Sequence, residues 1–217
     1  MHFQFMNKFI PFLSVIVFLS SCTNEYISDG REVCFEQEVL PLIVSTCARE
    51  GCHNPATYEK GYDLTQYNDI LRMVEPGSYR KSELYKVITS PFSPMPPKPY
   101  DRLSKEQITT ISLWIEQGAQ NAICMVEACD TSFVSYSSVV KPILDLYCNG
   151  CHAGPRPQGG VDYNNFNGVR ATVEDGSLIS SIIRDGNTVN MPKNGNKLPD
   201  CKIQQIKKWV QDGAKNN

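Results

Sequence analysis

Cys148-Asn149-Gly150-Cys151-His152 decides what this chain of 217 residues builds. Two thiols three positions apart are followed directly by an imidazole. This spacing suits two thioether bonds to the vinyl groups of one haem, with the histidine placed beside the iron. The stretch therefore predicts a covalently held redox cofactor, haem c, attached to Cys148 and Cys151 with His152 as an iron ligand.

A looser copy of this motif occurs earlier in the chain. Four residues separate Cys47 from Cys52, and His53 follows at once. The two extra residues must bulge from the usual motif, and Gly51 supplies backbone flexibility for this. We expect a second covalent haem on Cys47 and Cys52, with His53 on its iron.

The sixth iron ligands cannot be histidines. Besides the two motif histidines the chain has only His2, which lies in a segment that we expect to be removed. A thioether is the usual alternative, and a His/Met pair raises the potential of a haem. Met95 and Met191 each precede a proline on a predicted loop, 19 and 18 residues before the tryptophan of their half. We predict that they are the distal ligands.

The chain repeats itself. Gly61-Tyr62-Asp63 and Gly160-Val161-Asp162 both begin eight residues after the motif histidine, and Trp114 and Trp209 both precede a Gly-Ala pair. This pattern indicates two small, self-contained units in tandem. Two methionines have no counterpart in the other half and are interpreted as core residues, Met73 and Met125.

Apolar residues recur at helical spacing near the end of each half, which predicts a packed helix there that includes the tryptophan. Ser104 and Gln107 form a capping box at the start of the first of these helices, and Gly118 and Gly213 are placed to end them. Earlier helices are expected at about 36–46, 78–90, 135–147 and 176–184. Without any alternating β pattern, the predicted class is all-α with long Gly/Pro-rich loops.

The N-terminus has the features of an export signal. Lys8 precedes an apolar run over 9–19, too short to span a bilayer of ~30 Å, and Leu19-Ser20-Ser21-Cys22 resembles the bacterial lipoprotein box. We expect a signal over 1–21, lipid on Cys22 and a polar linker over 22–33. The alternative is cleavage near Ser21 that leaves a soluble secreted protein. Lys and Arg total 21 against 23 Asp and Glu, so nucleic acid is not an expected partner.

Nine cysteines divide into one for lipid, four for haem and four others. The last four form an even set in an oxidising compartment, where disulfides persist. Three pairings are possible. We favour Cys34 with Cys124 and Cys129 with Cys201, because each bond would then lie within one half.

Over residues 34 to 217 the chain resembles a tandem of small class I-like, His/Met-ligated c-type cytochrome domains found on exported bacterial lipoproteins. The resemblance rests on the motif at 148–152, the two Met-Pro loops and the two terminal tryptophan helices. It implies cytochrome c-like helical domains at 34–124 and 125–217, proximal histidines and distal methionines. It also implies a membrane-anchored carrier of single electrons, not an enzyme, that faces the periplasm between an unidentified redox donor and acceptor.

Three other functions fit parts of the pattern. A di-haem peroxidase also carries two haems, but that family usually needs a further histidine, and none follows the predicted signal apart from the two motif histidines. A haem-based sensor or accessory domain would need one iron left open. A zinc site of three cysteines and one histidine could form if one of the remaining cysteines joined a motif.

Overall fold

The computed structural model describes residues 31–124 and 128–217, and both ranges contain helices and no strand. The all-α prediction is confirmed for these residues. The predicted signal, Cys22 and Met125 lie outside them. No helix in the two described ranges is both long enough and apolar enough to cross a membrane.

Each half contains four helices in the same order. In the first half, residues 31–124, they are α1 (Leu40–Cys47), α2 (Tyr67–Leu71), α3 (Glu83–Thr89) and α4 (Lys105–Glu116). In the second half, residues 128–217, they are α5 (Lys141–Tyr147), α6 (Phe166–Glu174), α7 (Ser177–Ile183) and α8 (Asp200–Gln211). A π-helical turn leads into α1 and into α5, at Phe35–Val39 and Tyr136–Val140. The predicted helices are all present, and α2 and α6 are additional.

The terminal helices begin and end as predicted. Ser104 accepts a hydrogen bond from the Gln107 amide, and the Gln107 side chain accepts one from the Ser104 amide. Gly118 and Gly213 both have φ of +95°, the left-handed conformation that ends a helix. Both tryptophans are 1% exposed, which confirms that they pack in the core.

Each half has its own hydrophobic core. The first core lies between residues 33 and 119, and the second between 134 and 214. Leu146 at the end of α5 packs against both cores.

The structure contains both predicted disulfides. Cys34 and Cys124 are joined with a Cα separation of 5.6 Å, and Cys129 and Cys201 with one of 5.3 Å. Each bond closes most of one half, and closing a long loop stabilises a fold by roughly 2–4 kcal/mol. These bonds occupy the cysteines that a zinc site would need, so the zinc alternative loses its fourth ligand.

The two halves are in direct contact, because α1 packs against α5. The Ser45 hydroxyl donates to the carbonyl of Leu146 at 3.0 Å, and the Tyr147 hydroxyl donates to the carbonyl of Gln37 at 3.2 Å. Both helices end at a haem motif. This contact therefore places the two motifs side by side, and the halves are less separate than the repeat suggests.

Candidate haem sites

The longer motif of the first half folds into a closed turn at the end of α1. The His53 amide donates to the carbonyl of Cys47 at 3.1 Å, and the Cys52 amide donates to that of Arg49 at 3.0 Å. Gly51 has φ of +79°, a conformation that costs other residues roughly 1–2 kcal/mol. Gly51, in the left-handed conformation, thus accommodates the two extra residues, at the position where the sequence predicts a bulge.

The motif histidines are oriented in the same way in both halves. His53 Nδ1 lies 2.9 Å from the Glu59 carbonyl oxygen, and His152 Nδ1 lies 3.0 Å from that of Gln158. A carbonyl only accepts hydrogen bonds, so Nδ1 carries the proton and donates. Nε2 then keeps its lone pair for a metal, which is how a hydrogen bond to the far nitrogen fixes a histidine ligand.

In the first half, Cys47, Cys52, His53 and Met95 all line one cavity of about 440 Å³. Its wall is largely apolar and includes Leu64, Leu84, Val87 and Ile88. Two thiols, an imidazole and a thioether around a cavity of this size fit a covalently attached haem. All four predicted residues are therefore brought together.

In the second half, Cys148, Cys151, His152 and Met191 also line a single cavity. Its volume is about 50 Å³, far below that of the first site. The four side chains fit a covalently attached haem, but the cavity is too small for it. The walls of the cavity would have to move apart to hold a haem. Ser45 of the first half lines this cavity too, so the second site is built from both halves.

The two methionine loops are tied to the protein by equivalent backbone bonds. The Met95 amide donates to the carbonyl of Val87 in α3, and the Met191 amide donates to that of Ser181 in α7, at 2.9 and 3.0 Å. The second loop has two further hydrogen bonds. Arg184 Nη2 donates to the carbonyl of Pro192 at 3.2 Å and to the carbonyl of Gly195 at 2.8 Å. Arg184 thus closes the loop that carries Met191.

Replacing Arg184 with alanine should loosen this loop. Two carbonyls would lose a charged donor, and hydrogen bonds to charged groups contribute about 1.5–3 kcal/mol. We expect urea denaturation to show a free energy of unfolding lower by about 2 kcal/mol. Arg170→Ala is the control, because Arg170 pairs only with the exposed Glu174 and exposed pairs contribute ~0–1 kcal/mol. Equal losses in both variants would contradict this role for Arg184.

The motif thiols are held in their neutral form. Burial raises the pKa of Cys47 to about 11 and that of Cys148 to about 12. Burial also raises the pKa of Cys151 and lowers that of His152. Since the thiolate is the form that attacks disulfides, a raised pKa favours the reduced thiols, and the lowered pKa favours the neutral form of His152.

Sequence reasoning missed several residues at these sites. Met73, predicted to be a core residue, is buried at 8% exposure but also lines the first cavity. Arg49 and Tyr100 line it as well. The only sequence signal for Arg49 was its place in the two-residue insertion, and nothing in the sequence paired Arg184 with the Met191 loop.

Residues 50–99 match the family model described as Planctomycete cytochrome C. The match includes Cys52, His53 and Met95 and begins after Cys47. It supports a cytochrome c-type domain in this part of the chain, which implies bound haem c and a role in electron transfer. No curated protein and no solved structure matches the chain.

Proposed function

We propose that this protein is an exported c-type cytochrome that carries single electrons through two covalently bound haems. One observation carries the proposal. Each half has a cavity that is lined by two cysteines, a histidine and a methionine from separate parts of the sequence. The match over residues 50–99 supports the same class of protein.

The roles follow from the chemistry of the side chains. In the first site Cys47 and Cys52 would hold the haem, with His53 as the proximal ligand and Met95 as the distal one. In the second site the corresponding set is Cys148, Cys151, His152 and Met191. When bound, each haem supplies an iron centre that gains or loses one electron.

The protein side of each site suits electron transfer better than catalysis. The carbonyls of Glu59 and Gln158 orient the histidines, and backbone hydrogen bonds hold the loops that carry Met95 and Met191. A His/Met pair leaves no position for a substrate and favours a comparatively high potential. The largely apolar wall of the first cavity suits the apolar face of a haem.

We further propose that lipid on Cys22 anchors the protein to a membrane, with the haem domains facing the periplasm. Its partners would be a redox protein that donates electrons and another that accepts them. More than one acyl chain suffices for stable anchoring without a transmembrane helix. Cys22→Ser should release the protein from the membrane fraction, and retention there would contradict the anchor.

Counting covalent haems tests the main proposal. After expression with haem-maturation machinery, the denatured protein should have an intact mass two haems above that of the polypeptide. Cys148→Ser/Cys151→Ser should lose one haem and keep the other. Wild-type protein with one haem or none would overturn the di-haem function. Rapid peroxide turnover would overturn the carrier role in favour of an enzyme.

A further inference from the structure

Arg49 carries a positive charge in the interior of the protein. The residue is 6% exposed, and its Nε and Nη1 atoms have no hydrogen-bond partner in the described part of the chain. None of the ion pairs formed within residues 31–124 and 128–217 includes it. A buried arginine normally has a carboxylate partner, because desolvating an unpaired charge is costly. A role for this charge is therefore to be sought in the cavities that Arg49 lines.

The position of the guanidinium is fixed by an aromatic ring. Its central carbon lies 4.2 Å from the centroid of the Tyr100 ring, within the range of a cation–π interaction. Tyr100 follows the Met95 loop and lines the first haem cavity together with Arg49. The charge is therefore held beside the first site rather than turned to solvent.

Arg49 also lies beside the second motif. It lines a separate cavity of about 330 Å³ between the halves, which Asn149 and Gly150 of the second motif border as well. The end of α1, just before the first motif, contacts the second motif directly, since Cys151 Sγ lies 3.3 Å from the carbonyl oxygen of Ser45.

We infer that Arg49 is a single fixed charge shared by the two haem sites, where it raises both reduction potentials. This inference rests on the proposed function. Reduction adds one electron to an iron and lowers the net charge of that haem by one, so a nearby cation favours the reduced form. Burial keeps solvent ions away from the guanidinium, so its effect is screened less than that of a surface charge.

A redox titration of the two-haem protein tests this inference. Arg49→Gln removes the charge and keeps a polar side chain, whereas Arg49→Lys keeps the charge. We expect both midpoint potentials to fall in Arg49→Gln and both to return toward the wild-type values in Arg49→Lys. Arg102→Gln is the matched control: Arg102 lines the same interdomain cavity but is exposed, so both potentials should stay near those of the wild type.

The outcomes separate this inference from the proposed function. Intact mass is measured first, and a wild-type protein without two haems would overturn both. With two haems present, a fall in only one potential would overturn the sharing of the charge. No fall in either potential, or an equal fall in Arg102→Gln, would overturn the role of Arg49. A thermal melt of each variant shows whether the fold persists, and the lysine variant separates lost charge from lost packing.

Discussion

Met95→Leu should turn the first of the two proposed haems into a site that binds carbon monoxide. Leucine keeps the volume of methionine but removes the sulfur, so the iron would lose its sixth ligand while the loop stays packed. We expect the reduced wild-type protein to bind no carbon monoxide and the variant to bind one molecule. The potential of that haem should fall by on the order of 0.1–0.2 V, a part of the ~0.8 V range that axial ligands control.

Met73 provides the matched control for this experiment. It lines the same cavity and carries the same sulfur, but it is buried in the core next to the end of α2. Met73→Leu should leave the first haem closed to carbon monoxide and its potential nearly unchanged. If Met73→Leu opens the iron and Met95→Leu does not, Met73 is the distal ligand. Met191→Leu should open the second haem in the same way.

Local patterns in the sequence predicted much of the fold because their causes are local. The capping box at Ser104 and the left-handed glycines after α4 and α8 depend on a few adjacent residues. The disulfides could be paired because four cysteines divide simply between two halves. The three pairings were separated only by the assumption that each bond stays within one half, and the structure agrees.

The additional helices could not be predicted for a physical reason. α2 is a helix of five residues, too short to show a repeating apolar pattern. α6 contains Gly168 and three β-branched residues, which favour helix poorly. It forms because Asn165 caps it through the Gly168 amide and because Val169 and Thr172 are buried. Tertiary packing decides this helix, and a single sequence does not show such packing.

The contact between the halves is also invisible in the sequence. The repeat suggested two self-contained units, but Ser45 lines the cavity of the second motif, and Asn194 of the second methionine loop donates to the Ala48 carbonyl in the first motif. A repeat shows which residues are equivalent, not which surfaces meet. The roles of Arg49 and Gly150 follow from that contact, so neither could be found from the motifs alone.

Gly150→Ala should weaken the contact between the halves more than any other small change in the motifs. A Cβ at this position would lie 2.1 Å from the carbonyl oxygen of Ser45 and 2.2 Å from its carbonyl carbon. Backbone atoms cannot rotate away as a side chain can, so α1 and α5 would have to separate. We expect the free energy of unfolding to fall by about 2–4 kcal/mol in urea denaturation, at the upper end of the usual cost of overpacking.

The corresponding glycine of the first motif provides the control for this prediction. Gly51 has open space where a Cβ would lie, but its φ is +79°, so Gly51→Ala should cost only the backbone strain of roughly 1–2 kcal/mol. The two variants should also differ in their effect on the haem potentials. Gly150→Ala should lower both haem potentials, because separation of the halves lets water reach Arg49 and weakens its effect on each iron, whereas Gly51→Ala should leave the interface intact. A Gly150→Ala protein with wild-type stability and potentials would show that the motifs do not meet across α1 and α5 in solution.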